Sequence, residues 1–414
     1  MKVLLLTDQL IQNNDTFIIG GWIQSLIHIL EESKNIEIAV AGLTLADSCI
    51  EKEEKVIYYK IKKQNYNSIE RFCRRWTSAI QDEKEIKEYM AAIQDFNPEI
   101  VHIFGTESFL CHVIPHTKSK TVVHLQGLIN PVLNAWIPPA MSLSLLDAHS
   151  FHLFHFLRGI TFKREYKTFQ MRAQRELDYF PSIRFVMGRT DWDKTLAAIL
   201  GKDITYFHLE ESLRPDFYTD IQWKIKNRKE VQLLSVLSPA TYKGFDVILK
   251  TASLLKAQDI QFQWKICGAS EEDRIVKALE SILKKKFSFN NVSFLGKQTA
   301  QELVSLLLDA DLFIHPSYIE NSPNSVCEAQ ILGLPVIATS VGGISSLVEN
   351  NKTGILCPAN DPYYLSGKII ALLNDPKQMQ YLGENARIAA NQRHNRKKIL
   401  ENIENIYLQI IQMD

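Results

Sequence analysis

The string His315-Pro316-Ser317-Tyr318-Ile319-Glu320-Asn321-Ser322-Pro323-Asn324-Ser325-Val326-Cys327-Glu328 holds two glutamates, Glu320 and Glu328, with seven residues between them. An ionised carboxylate only accepts hydrogen bonds, and sugar hydroxyls donate them. The loop residues 321–325 are mostly polar and lead into a helix start, and peptide N–H groups at a helix start attract anions. Carboxylates would repel a phosphate bound there, so hydrogen bonding to hydroxyls is the chemistry that suits them. For either glutamate alone the preferred reading is an acid at a helix N-terminus or a solvated side chain. The pair does not resemble the two acids of a glycoside hydrolase, because helix-linked spacing suits holding one ligand.

For both glutamates to meet one ligand, a strand must deliver the chain to a loop and the loop must open a helix. Residues 312–314 are short and apolar, as a strand requires. Ser322 is the expected N-cap, and Pro323 suits the first helical position, where its missing N–H costs nothing. Gly333 closes the helix as a C′ residue with Pro335 beyond it. Residues 336–338 make the next strand. Strand, helix and strand form the unit of an open parallel sheet.

That unit recurs. Strand-like runs fall at 3–7, 36–41, 56–61, 100–103, 121–125, 184–187 and 204–207, then at 231–236, 262–267, 292–295 and 354–356, mostly with helical patterns between them. The expected organisation is an N-terminal domain of residues 1–207, a charged linker at 208–226 containing Pro215, and a C-terminal domain of residues 227–390. In such doubly wound sheets, ligands bind at the strand C-termini. Gly20 and Gly21 follow the first strand and its polar loop, and read as either a phosphate-approach loop or a tight turn. Arg189 ends a strand, where it would hold a charged acceptor group or donor diphosphate, or pair with Asp191 or Asp193. His102 reads as a core or strand-end histidine.

Glu320 and Glu328, then Ala329, Gly333-Leu334-Pro335-Val336, Ala338 and Gly342-Gly343, closely resemble the donor-sugar motif of the retaining glycosyltransferases of family 4. The resemblance implies the GT-B fold, an α/β architecture of two Rossmann-like domains facing an interdomain cleft. It implies that Glu328 accepts from ribose hydroxyls and that Glu320 contacts the donor sugar. Backbone N–H groups of Asn321, Ser322, Asn324, Ser325 and Val326 would receive sugar and diphosphate. Lys243, followed by Gly244, matches the family's phosphate lysine, so Lys243 and Glu320 are the expected catalytic pair. Gly20, Gly21, Gln126, Arg189 and Gly296 complete the expected donor site, with the base near Gly296 and the loop after Gly268. Two departures stand out. Gln126 occupies a strand end where many members have histidine, and Leu237-Ser238 stand where Gly-Arg usually precedes the lysine. Arg189 or Lys297 would have to replace that arginine.

The implied reaction is transfer of a hexose-type sugar from a nucleotide sugar, UDP rather than GDP, to a glycan or lipid-linked acceptor with retention. No cofactor or metal is expected, since no metal motif is visible, in particular no Asp-x-Asp of the type that holds a divalent ion on a diphosphate. The alternatives are a GT-B sugar-nucleotide epimerase and a non-catalytic nucleotide-sugar-binding scaffold. The family also implies that the terminal helix, 397–413, crosses back to the N-terminal domain, with Ile399, Ile403, Ile406, Tyr407 and Ile410 on one face.

The 414 residues contain 47 Lys plus Arg and 47 Asp plus Glu, so no global field argues for nucleic acid. Six cysteines lie scattered without metal or CxxC spacing, the pattern of reduced thiols in a cytoplasmic protein. The opening apolar run is too short for a signal peptide and reads as a first buried strand. The basic aromatic stretch 158–184 fits two roles: membrane-peripheral contact with anionic lipid, or a helix whose Phe162, Tyr166 and Phe169 pack into the domain. The packed helix is the preferred reading.

Overall fold

Apolar runs flanked by strand-end glycines become two separate sheets in the computed structural model, which describes residues 1–10, 21–67, 69–70, 73, 83–152, 156 and 158–413. The first contains β1 (Lys2–Thr7), β2 (Glu37–Thr44), β3 (Cys49–Glu53), β4 (Val56–Lys62), β5 (Ile100–Phe104), β6 (Lys120–His124), β7 (Phe185–Gly188) and β8 (Thr205–His208). Their order is β3-β4-β2-β1-β5-β6-β7-β8. The second contains β9 (Val231–Val236), β10 (Phe262–Cys267), β11 (Val292–Gly296), β12 (Leu312–His315), β13 (Val336–Thr339) and β14 (Ile355–Cys357), in the order β11-β10-β9-β12-β13-β14. Within these sheets only β3 and β4 pair antiparallel. All five residues of β3 are exposed, so this charged edge strand left no hydrophobic signal in the sequence. In each sheet the order reverses beside the first strand, which opens a crevice at the strand C-termini.

The terminal helix, Arg396–Gln412, buries Ile399, Ile403, Ile406, Tyr407 and Ile410 in one cluster with Val3, Leu5 and Trp22 of the first domain. The Tyr407 hydroxyl is hydrogen-bonded to His102 Nδ1 at 2.7 Å. Burial pushes the His102 pKa down to about 3, so a neutral imidazole sits in this core.

From Leu213 onward, the stretch 208–226 is packed along the second domain. Leu213, Phe217 and Trp223 belong to its core, and Trp223 Nε1 donates to the Ala310 carbonyl at 2.7 Å. The segment that joins the two domains is thus itself anchored by buried aromatics amid its charged residues.

The segment after β6 reaches across to the second domain. The helix Phe162–Tyr179 turns Phe162, Tyr166 and Phe169 toward Trp136, with ring centroids 5.4–6.3 Å apart. Trp136 is 1% exposed and joins the core of the second domain. Its carbonyl accepts from Thr241 Oγ1. Arg274 lies over the Phe162 ring and donates to Glu165 at 2.7 Å. The aromatic face is therefore packed against protein, with Phe162 buried and Tyr166 and Phe169 half-buried. Arg172 and Arg175 donate to the Glu107 carbonyl, so part of the basic charge is also used internally. Among the described residues, no helix is long and apolar enough to cross a membrane. Trp136→Ala is expected to cost about 3–5 kcal/mol, the range for truncating a buried tryptophan, read as a lowered unfolding midpoint.

Candidate active site

A cleft of about 700 Å³ lies between the helix Gly21–Glu31 of the first domain and the strand ends of the second. Gly21, Trp22 and His28 line one wall, and Lys243, Glu320, Asn324, Ser325 and Glu328 line the other. Arg214, Pro215 and Asp216 also border it.

Glu320 is the centre of a tight polar cluster. Its Oε1 accepts from Lys243 Nζ at 2.5 Å and from Ser317 Oγ at 2.9 Å, and lies 3.0 Å from His315 Nε2. Burial alone would raise the Glu320 carboxyl, but Lys243 and His315 overcome it and hold the pKa down to about 2. Burial likewise opposes the charge on Lys243, and Glu320 outweighs it, leaving the ammonium pKa above its ordinary value. Among the described residues Glu320 Oε2 has no protein partner, so one carboxylate oxygen remains for a ligand in the cleft. His315 ends β12, where the sheet delivers side chains to the crevice.

Glu328 sits inside the helix Asn324–Leu332, one turn beyond its start. Its Oε1 accepts from Arg214 Nε at 3.0 Å and Nη2 at 2.7 Å. Burial raises the Glu328 pKa, and Arg214 counters that. The N-cap is Pro323, one position later than expected, and Ser322 turns its hydroxyl toward Arg189 instead. The first-turn N–H groups of Asn324 and Ser325 lack intrahelical acceptors, and both residues line the cleft.

The double glycine of the sequence motif supports this loop. Gly343 N–H donates to the Glu320 carbonyl at 3.0 Å. A Cβ on Gly342, whose φ is +52°, would stand 1.8 Å from the same oxygen. Gly342→Ala is therefore expected to lose about 1–2 kcal/mol from the left-handed backbone alone, and more from the clash. Thermal unfolding checks it, with the midpoint falling.

The expected site residues divide into two groups. Gly21, Lys243, Glu320, Asn324, Ser325 and Glu328 meet at the cleft. Arg189 does not face it. Its guanidinium pairs with Glu211 at 2.7 Å and donates to Ser322 and to Asn324 Oδ1, so it ties the two domains together and is spent on protein partners. Neither Asp191 nor Asp193 pairs with that guanidinium; the Asp193 carboxylate caps its own helix and accepts from the Arg189 backbone. Asn321 bonds Thr190 and the Gln126 carbonyl, and so also stitches the interface. Gln126 is absent from the cleft lining. Val326 is buried, and its N–H already donates to the Pro323 carbonyl at 3.1 Å. Gly296 ends β11 at φ +67° without lining the cleft, and Lys297 beside it does. Ser238, standing where an arginine was expected, lines it too. Gly20 lies outside the described residues.

Sequence reasoning missed three side chains here. His315 and Ser317 were within the motif and five and three residues before Glu320, but spacing along a strand end and loop carried no sign that they converge. Arg214 is 114 residues from Glu328 and left no local signal.

Residues 218–389 match the family of glycosyl transferases group 1. A putative colanic acid biosynthesis glycosyltransferase, WcaL of Salmonella typhimurium, is 30% identical over 145 residues, covering 34% of this chain and 35% of that protein. The N-acetyl-alpha-D-glucosaminyl L-malate synthase of Bacillus anthracis is 33% identical over 125 residues, covering 30% of this chain and 32% of that one. Each alignment thus spans about a third of the relative's length. Among solved structures, sucrose-phosphate synthase from Thermosynechococcus elongatus aligns with a TM-score of 0.73 at 16% identity over 99% of this chain and 98% of that one. HepE of Anabaena, in complex with UDP-glucose, aligns at 0.65 and 17% identity over 99% and 100%. The fold is therefore GT-B, two Rossmann-like domains across a cleft. Within it, residues 218–389 of the second domain match the group 1 glycosyl transferase family, and the six expected residues that meet at the cleft include both Glu320 and Glu328.

Proposed function

We propose that the chain is a retaining, metal-independent glycosyltransferase. It moves a hexose-type sugar from a nucleoside diphosphate donor to a hydroxyl of a glycan or lipid-linked acceptor, on the cytoplasmic side and in polysaccharide synthesis. The observation that carries the reading is the convergence of Lys243, Glu320, Glu328 and a helix N-terminus on one cleft. Glu328 Oε2 accepts from the ribose, and Glu320 Oε2 accepts from sugar hydroxyls. Asn324 and Ser325 N–H groups and Lys243 stabilise the charge that grows on the leaving diphosphate. The bond from the anomeric carbon to the β-phosphate oxygen breaks with its electron pair leaving on oxygen. The acceptor oxygen bonds to that carbon from the same face, and its proton passes to the departing phosphate. The UDP-glucose bound by the HepE structure supports testing uridine donors before guanosine ones.

A panel of nucleotide sugars, screened by thermal shift and followed by mass spectrometry with an acceptor extract, tests this. A donor that stabilises the protein, hydrolyses slowly and glycosylates an acceptor is the expected result. Isomerised donor would instead show an epimerase, and binding without turnover a scaffold.

A further inference from the structure

We infer that Arg214, in the segment joining the two domains, is a positioning residue that aims Glu328 at a vicinal diol and so sets the site's preference for ribonucleotide over deoxyribonucleotide donors. The inference rests on the donor reading of the cleft.

The geometry is one-sided. Arg214 spends both Nε and Nη2 on a single carboxylate oxygen, Glu328 Oε1, at 3.0 and 2.7 Å. Among the described residues Oε2 has no protein partner. A guanidinium usually grips both oxygens of a carboxylate in parallel. Here it holds one, which leaves the other to accept from two neighbouring hydroxyls.

Arg214 is itself held. Its cation lies 4.9 Å over the ring of Phe217, which is fully buried in the core of the second domain. It precedes the short helical turn Pro215–Phe217, so the backbone direction is set before the side chain leaves it. Both Arg214 and Glu328 border the cleft. Burial raises the Glu328 pKa, and the adjacent Arg214 cation opposes that rise. Upstream, Glu211 pairs with Arg189 of the first domain at 2.7 Å. One short stretch thus ties the first domain through Glu211 and the ribose carboxylate through Arg214.

The test compares UDP with 2′-deoxy-UDP by calorimetry on the full chain. The wild type is expected to prefer UDP by about tenfold or more, the scale of a lost hydrogen bond to a charged group. Arg214→Ala should weaken UDP by a similar factor and 2′-deoxy-UDP, which keeps only the 3′-hydroxyl, by clearly less, so the preference shrinks toward unity. Arg214→Lys, keeping the charge and one donor, should restore part of it. A variant that had merely lost its fold would weaken both ligands together. Unchanged discrimination in a folded Arg214→Ala protein overturns the positioning role and leaves the donor reading intact. Wild-type protein that binds neither nucleotide, nor any nucleotide sugar of the panel, overturns both.

Discussion

Lys243→Ala is expected to lower turnover by about 10²–10³-fold, the loss seen when one preorganised donor to developing charge is removed. The loss should fall mainly on kcat, because the charge on a leaving diphosphate grows in the transition state. The change also reaches Glu320. In the intact site Lys243 is the strongest influence opposing burial, and it holds the carboxyl to about 2. Without it, burial remains and the Glu320 pKa rises. The residual activity of the variant should therefore climb as pH rises through the shifted value, whereas the wild type shows no such limb in the weakly acidic range. A pH profile of kcat and KM for both proteins checks the sign. A flat ratio of the two profiles, or turnover within a few-fold of wild type, would contradict the assignment.

Glu320→Gln should destabilise the fold by about 3–5 kcal/mol, the cost of stripping one partner from a buried ion pair. The side chains of Lys243 and Glu320 are 16% and 10% exposed, so water compensates little. Glutamine keeps the shape but leaves the Lys243 ammonium without its counter-charge. Combining it with Lys243→Met removes both charges and should recover most of that stability, while activity stays lost. Urea unfolding of the single and double variants measures this, and a double variant no more stable than Glu320→Gln would mean that the pair is not the source of the cost. The linkage has a definite direction. The folded pKa of Glu320 lies below its ordinary 4.5, so its contribution is complete above about 4.5 and disappears as pH falls through about 2.

These two predictions draw on residues of different legibility. Lys243 and Glu320 were both readable as chemistry from the sequence, but their 2.5 Å contact was not. They come from separate strand–helix units, 77 positions apart, and only the parallel pairing of β9 with β12 brings the ends of those units together. The same applies to Arg189. Its place after β7 suggested the cleft, yet the loop 321–324 of the other domain reaches it first and takes its donors.

Local structure was well signalled where one periodicity ruled. The first parallel strand, Lys2–Thr7, reads as a nearly continuous apolar run, because both faces of a parallel sheet are covered. The terminal helix announced its apolar face, since 3.6-residue spacing persists through it. Where charge and burial mixed, the sequence showed less. The stretch 208–226 looked like a linker because its charged residues outnumber the aromatics that anchor it. The helix Phe162–Tyr179 left two roles open because sequence cannot say what covers an aromatic face; Trp136 does.

By itself, the sequence determined the alternating α/β architecture and the donor motif with its two glutamates. Those properties are local: they depend on neighbours within a strand, a turn or a helix. The tertiary structure alone decided the partners of each charge. Lys243 meets Glu320, Arg214 meets Glu328, and Arg189 turns to Glu211. The physical reason is that a buried charge must find its counter-charge in space, and the sheet order that sets those distances is written in no single segment of the chain.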